Sequence, residues 1–322
     1  MQNTKFNLNS FKKYKILITG GAGYIGSILA TELVHLGHQV TVVDLLKYSS
    51  SALNHLYIYK NFEFIHADVQ NKKIMKNLIS KNDYIIPLAG LVGAPLCEKY
   101  KKDAININYK VIKDCVSFSK NKKIIFLMSN SGYGVGEKDK FCTEESALNP
   151  ISLYGKTKCD AEKEVIKSKN YVCFRLATVF GFSYRMRSDV MVNNFVFNAV
   201  KDKKLKLFEP HFRRNFIHVR DVVDCILYTI NNFQKMKNNI YNAGLNSANI
   251  TKIQLALLIK KQIKDLKLST IKGIKDPDQR NYFVSNDKLK KKGFTAKRHL
   301  NEGIKELIKG FKVEGLKIEN NY

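Results

Sequence analysis

The sequence predicts an α/β fold: a doubly wound parallel sheet with a smaller, mostly helical lobe at its C-terminal end. Three observations predict it. Short apolar runs alternate with helical patterns through about the first 180 residues, as parallel strands joined by crossover helices do. The first run passes straight into a glycine-rich turn that opens a helix. Beyond about residue 181 the alternation stops and Lys-rich helical segments follow.

Taken in order, residues 15–19 (KILIT) read as the first strand. Residues 25–36 read as an amphipathic helix ended by Gly37. QVTVVD (39–44) is the second strand, residues 62–66 the third and YIIPL (84–88) the fourth. KIIFLM (123–128) and YVCFRL (171–176) are the fifth and sixth, with helices expected at 72–80, 104–119 and 154–167. Residues 214–219 read as extended, 222–231 as a helix and 239–243 as a late strand returning to the sheet. The stretches 252–264 and 300–311 read as helices of the lobe. The expected division is a sheet domain over residues 1–180, rejoined by segments near 214–245. Residues 181–213 and 246–322 would then form the smaller lobe.

A chain of 322 residues with 44% hydrophobic residues can bury a large core. It has no run of 18 apolar residues, so no membrane-spanning helix is expected. The opening MQNTKFNLNSFKKYK lacks the apolar stretch of a signal peptide. Six scattered cysteines without a CxxC pair read as free thiols, and a reducing cytoplasmic location is expected. No metal site is expected. The formal charge of +27 comes from 47 Lys and 8 Arg against 28 acids. The lysines are dispersed, with no basic tail, zinc-ligand spacing or aromatic RNA-binding motif, so they read as a solvated surface and not as a nucleic-acid or membrane face. The eight Arg all fall after residue 170. Arg is the preferred partner of phosphate groups.

TGGAGYIGS (19–27) links the first strand to its helix. Gly20 permits the tight turn, Gly23 lets the backbone approach a pyrophosphate, and Gly26 allows close packing of helix on strand. Phosphates then rest at the helix N-terminus, where free N–H groups favour negative charge. Asp44, at the end of the second strand, suits the adenosine ribose hydroxyls. No Arg follows it, so NAD is expected over NADP, with Lys47 the one nearby cation. Asp68 and Val69 suit the adenine edge. Tyr154 and Lys158, four apart, share one helix face. An ammonium there favours the phenolate of a group whose ordinary pKa is about 10.

The chain resembles the extended short-chain dehydrogenase/reductase family, the NAD-dependent nucleotide-sugar epimerases and dehydratases. The resemblance covers nearly the whole length. It rests on TGGAGYIGS, ADV (67–69), PLAG (87–90), the Asn108 region, SNSGYG (129–134), YGKTK (154–158), RLATVFG (175–181) and RRNFIHVRDV (213–222). Two departures are Pro87, where the family often has His, and Leu45, where Asn commonly follows the acid. The resemblance implies a Rossmann-type fold holding NAD with Gly20, Gly23, Tyr24, Ile25, Gly26, Asp44, Asp68, Val69, Leu88, Ala89 and Gly90. It makes Tyr154 the base on a sugar hydroxyl. Lys158 becomes the ligand of the nicotinamide ribose that also depresses the Tyr154 pKa. Ser129 becomes the partner of the reacting oxygen. Arg214 and Arg280, the latter in DPDQRNY, align with Arg residues that hold the substrate diphosphate. Ser131, Thr178, Arg185, Asn193 and Asn194 are expected at the sugar or nucleotide, with Arg187 and Arg213 as further candidates. His218 and Asp221 read as structural. A homodimer through residues 104–119 and 154–167 is also implied.

Dehydratases and decarboxylases of this family carry a Glu, or an Asp-Glu pair, after the position of Ser129. Here Asn130 and Ser131 stand there, and neither is a carboxyl acid or base. The expectation is therefore oxidation alone, by a dehydrogenase or by a 4-epimerase that returns the hydride. PLAGLVGAPLCEK (87–99), NSGYGVGEKD (130–139) and residues 175–195 are similar to the GDP-D-glycero-α-D-manno-heptose 4-dehydrogenases of capsular polysaccharide synthesis. That similarity implies a GDP-linked heptose as substrate, and 2-oxoglutarate as the oxidant that restores NAD.

Overall fold

A computed structural model describes residues 12–137, 140–271, 280–313, 318 and 321. Residues 276–279 of the DPDQRNY stretch, and residues 138 and 139, lie outside the described residues. In chain order the sheet half contains β1 (Lys15–Thr19), α1 (Gly26–His35), β2 (Gln39–Asp44), β3 (Phe62–His66), α2 (Lys72–Lys81) and β4 (Tyr84–Pro87). It continues through α3 (Ala94–Lys99), α4 (Lys101–Ile105), α5 (Val111–Ser119), β5 (Lys123–Ser129), β6 (Phe141–Cys142), α6 (Leu153–Ile166) and β7 (Tyr171–Leu176). Then come β8 (Thr178–Phe180), α7 (Met191–Asp202), β9 (Lys204–Phe208), β10 (Arg213–Arg214), β11 (Phe216–His218), α8 (Val219–Asn231), α9 (Phe233–Met236) and β12 (Asn239–Ala243). The last elements are β13 (Ile250–Thr251), α10 (Lys252–Gln262), β14 (Lys267–Ile271), β15 (Phe283–Val284), α11 (Asp287–Lys291) and α12 (Leu300–Phe311).

Seven strands form one parallel sheet in the order β12-β7-β5-β4-β1-β2-β3. The order reverses between β1 and β4, which opens a crevice at their C-terminal ends. Successive strand residues point to opposite faces, and the core divides accordingly. Ile16, Ile18, Val40 and Val42 pack with α1 and α8 on one face, while Leu17, Val43 and Ile85 pack with α2 and α5 on the other. Near the β5 end of that second face, Ile124, Phe126 and Met128 meet Cys159, Ala161 and Val165 of α6. These strands are apolar on both sides because helices cover both sides.

The expected helix 104–119 is interrupted by a π turn, Asn106–Lys110. The lobe carries more strand than its Lys-rich composition suggested. Short pairs β9–β14, β10–β13, β8–β11 and β6–β15 tie it together and to the sheet half. Strands of two to five residues are too brief for an alternation of period two to stand out. All six cysteines are free and buried. Among the described residues no helix is long and apolar enough to cross a membrane, and no cluster of ligating side chains could hold a metal ion.

Candidate active site

The C-terminal ends of β1, β2, β4 and β5 open onto a cleft of about 740 Å³. One wall is the glycine turn, and Gly20, Gly23, Tyr24, Ile25 and Gly26 all line it. Gly20 has φ +69°, and a Cβ there would sit 2.5 Å from the backbone N of Ala89. That contact is how β1 and the loop after β4 close on each other. A Cβ at Gly23 would meet only the Gly20 carbonyl, at 3.0 Å, and would otherwise fill the cleft itself. An open cradle of this kind fits a pyrophosphate at the start of α1. Asp44 supports the same reading. Its carboxylate accepts hydrogen bonds from the N–H of Ala22 (3.0 Å) and of Leu46 (2.9 Å), which aims it across the turn. Asp68, Val69, Leu88, Ala89 and Gly90 also line the cleft. The residues present therefore fit a bound dinucleotide. Asn108, 2% exposed, holds the loop beyond Gly90: it accepts from Leu91 N–H and donates to Leu91 O, each at 2.9 Å.

Ser129 ends β5, and its Oγ accepts from the Ser131 N–H (3.2 Å), capping a short turn over Asn130–Tyr133. The following helix, α6, is capped in turn by Ser152, whose Oγ accepts from Gly155 N–H (3.2 Å). From it Tyr154 and Lys158 face the cleft together with Ser129 and Thr178. Burial pushes the Tyr154 phenol above its ordinary pKa, and the Cys97 thiol adds to this. Arg280, Arg187 and a hydrogen bond with Ser129 pull it back. Lys158, one turn further along α6, lines the same cleft. Lys158 itself is pushed down to about 8 by burial, with Nζ 4.5 Å from the centre of the Phe126 ring.

Arg185 and Arg280 line the cleft, as do Arg187 and Asn194. Arg185 lies across the Tyr48 ring at 4.8 Å, near the Asp44 end, and donates to Asn321 Oδ1 at 2.6 Å. Three residues expected at the substrate do not reach the cleft. Arg214 is fully buried and donates to the carbonyls of Arg213 and Arg280, so it shapes the backbone that presents Arg280. Asn193 is also fully buried. Its Oδ1 accepts from Gly181 N–H, and its Nδ2 donates to Tyr24 Oη and to Arg187 O. Ser131 is 1% exposed and serves through its N–H, which fixes Ser129. Arg213 is likewise outside the cleft wall and stacks on Phe283 at 4.3 Å. His218 and Asp221 are buried and paired with Glu306 and Arg298. Sequence reasoning missed Tyr48 and Asp189, which both line the cleft. The Arg187-x-Asp189 spacing was the available signal for the second.

Comparison with known proteins agrees with this geometry. The NAD dependent epimerase/dehydratase family model matches residues 16–244. A UDP-N-acetyl-alpha-D-glucosaminuronate decarboxylase of Bacillus cytotoxicus is 33% identical over 147 residues, which is 45% of this chain and 44% of that protein. An ADP-L-glycero-D-manno-heptose-6-epimerase of Brachyspira hyodysenteriae is 28% identical over 80% of this chain and 83% of its own. The crystal structure of a UDP-glucose 4-epimerase from Thermotoga maritima superposes with a TM-score of 0.81 at 25% identity, covering 92% of this chain and 98% of that one. The match spans the glycine turn, the Ser129 strand end and the Tyr154 helix alike, and the chain belongs to the NAD dependent epimerase/dehydratase family, an enzyme family whose cofactor is NAD.

Proposed function

We propose that this protein oxidises a nucleotide sugar at C4, with GDP-D-glycero-α-D-manno-heptose as substrate. The observation that carries the reading is the convergence of Ser129, Tyr154 and Lys158 on one stretch of the cleft wall. The acids lining the cleft are Asp44, Asp68, Asp103 and Asp189, and none occupies the positions directly after Ser129, which are Asn130 and Ser131. Asn130 and Ser131 lie buried behind that strand end. A proton donor for expelling a sugar hydroxyl is thus missing from the place where dehydratases keep one.

When bound, NAD supplies the hydride acceptor. Tyr154 accepts the proton of the reacting hydroxyl, while Ser129 hydrogen-bonds the same oxygen and keeps it in line with the phenol. Lys158, protonated below a pH of about 8, would hold the nicotinamide ribose. Arg280 and Arg185 hold phosphate oxygens from the side of the lobe. Net oxidation would call for a second oxidant, and 2-oxoglutarate, reduced to 2-hydroxyglutarate, would fill that role. By the same reading the chain forms a homodimer through residues 104–119 and 154–167.

A second reading, a 4-epimerase that returns the hydride to the opposite face, is favoured by the family match and by the 4-epimerase likeness. Incubating the holoenzyme with GDP-heptose and with UDP-hexoses, followed by mass spectrometry and NMR, separates the two. A product two mass units lighter, as a net oxidation gives, supports the dehydrogenase. A product of unchanged mass with inverted C4 rejects it.

A further inference from the structure

The stretch of cleft wall that answers Tyr154 from the lobe carries a charge pair the reading above leaves unused. Arg187 and Asp189 both line the cleft, with side chains only 9% and 5% exposed. Asp189 accepts from Arg187 Nε at 3.0 Å and from Nη2 at 2.5 Å, a bidentate arrangement. The third guanidinium nitrogen, Nη1, makes no hydrogen bond among the described residues. The backbone behind the pair is pinned as well. Arg187 O accepts from Asn193 Nδ2 at 2.8 Å, and the same amide meets the hydroxyl of Tyr24, which donates to Gly181 O at 2.6 Å. These bonds fix the backbone from which Arg187 projects, and the bidentate pair with Asp189 orients its side chain. The pair shares the cleft wall with Tyr154, Thr178 and Arg280.

A lone guanidinium at this point would attract an anion. Clamped to Asp189, it is an overall neutral unit that presents one N–H edge. Such an edge can donate to a sugar hydroxyl. A sugar carboxylate, by contrast, would meet a cation already compensated and an adjacent carboxylate of its own sign. We propose that the Arg187–Asp189 pair reads the sugar of the substrate and restricts the enzyme to uncharged sugars, turning away uronic acids. This rests on the nucleotide-sugar reading above and narrows its substrate class.

The test is calorimetric titration of the NAD-loaded protein with matched pairs: UDP-glucose against UDP-glucuronate, and GDP-mannose against GDP-mannuronate. UDP and GDP alone serve as references. Wild type is expected to bind the neutral member of the better pair about tenfold tighter or more, and Asp189→Asn to shift that ratio about tenfold towards the uronate. Melting temperature and bound NAD confirm that the variant is folded. If it is not, the wild-type ratio decides the matter by itself. Equal or tighter binding of the uronate by wild type overturns the proposal, as does an unchanged ratio in a folded Asp189→Asn. Uronate preference accompanied by NAD-dependent oxidation overturns this inference alone. If no sugar nucleotide binds better than its bare diphosphate, the nucleotide-sugar reading falls and takes this inference with it.

Discussion

The two walls of the cleft are made by different means. The dinucleotide wall comes from strand ends of the N-terminal half, with the backbone of the Gly20–Gly26 turn and the strand-end acids Asp44 and Asp68 as its parts. The opposite wall is assembled from side chains at 185–195 and at 280, and several of these are held by other side chains. Arg187 leans on Asp189, Arg185 on Tyr48 and Asn321, and Arg280 on a loop secured by Arg214. A wall of backbone amides accepts any phosphate of the right shape. A wall of paired charges can discriminate between sugars, and it is correspondingly sensitive to the loss of one partner.

Replacing Tyr154 by Phe tests where the two walls meet. Turnover is expected to fall about 10³-fold, within the usual range for a lost proton acceptor, with NAD content unchanged. Absorbance of the reduced cofactor in a single turnover would show this, and an undiminished rate would remove Tyr154 from proton transfer.

The helix carrying Tyr154 and Lys158 is registered against the sheet by a buried ion pair. Arg175 Nη2 and Nε meet Glu162 at 2.7 and 3.0 Å, with both side chains 5% exposed or less. Glu162→Gln leaves the guanidinium uncompensated and should cost about 3–5 kcal/mol of stability in urea unfolding. An unaltered midpoint would mean that α6 is held in place by apolar packing alone.

On the dinucleotide wall, Gly20→Ala confronts both a positive φ and a 2.5 Å approach to Ala89 N. The expected loss is about 2–3 kcal/mol of stability together with weaker NAD binding. A variant with normal stability and a normal NAD dissociation constant would show that the turn can relax.

The smallest expected effect has the opposite sign. Lys158 carries its proton in the folded protein only below about pH 8, whereas the unfolded chain keeps it to the ordinary lysine value of 10.5. Between these values the unfolded state binds more protons, so stability contributed by this group rises with pH. Below pH 8 the whole desolvation penalty is present. Lys158→Met should therefore stabilise the cofactor-free protein at pH 7 by about 2 kcal/mol while lowering turnover. The gain should shrink as pH rises from 8 to 10.5. A destabilised variant at pH 7 would show that the ammonium is satisfied by its contact with Phe126.

The contrast between the walls also separates what was legible from what was not. The strands at 15–19, 39–44, 62–66, 171–176 and 239–243 match the structure residue for residue. Their apolar runs and their flanking turns are local properties. The π turn at 106–110 escaped the reading because it sits where Asn108 bonds the backbone of Leu91, a partner 17 residues away. Arg214 and Asn193 stood in motifs that pointed to substrate, yet both are fully buried and occupied with the backbone of other segments. A polar residue in a motif looks the same in sequence whether it faces a ligand or satisfies a carbonyl.

By itself the sequence determined the alternation of strand and helix, the glycine turn with its acid at Asp44, and the spacing of Tyr154 and Lys158. Each of these is set by the conformation of a few neighbouring residues, so spacing and residue type suffice to reveal it. Only the tertiary structure decided which arginines face the cleft, and that Arg187 arrives already paired with Asp189. A charged side chain settles where its desolvation is compensated, and the compensating groups come from elements far apart in the chain.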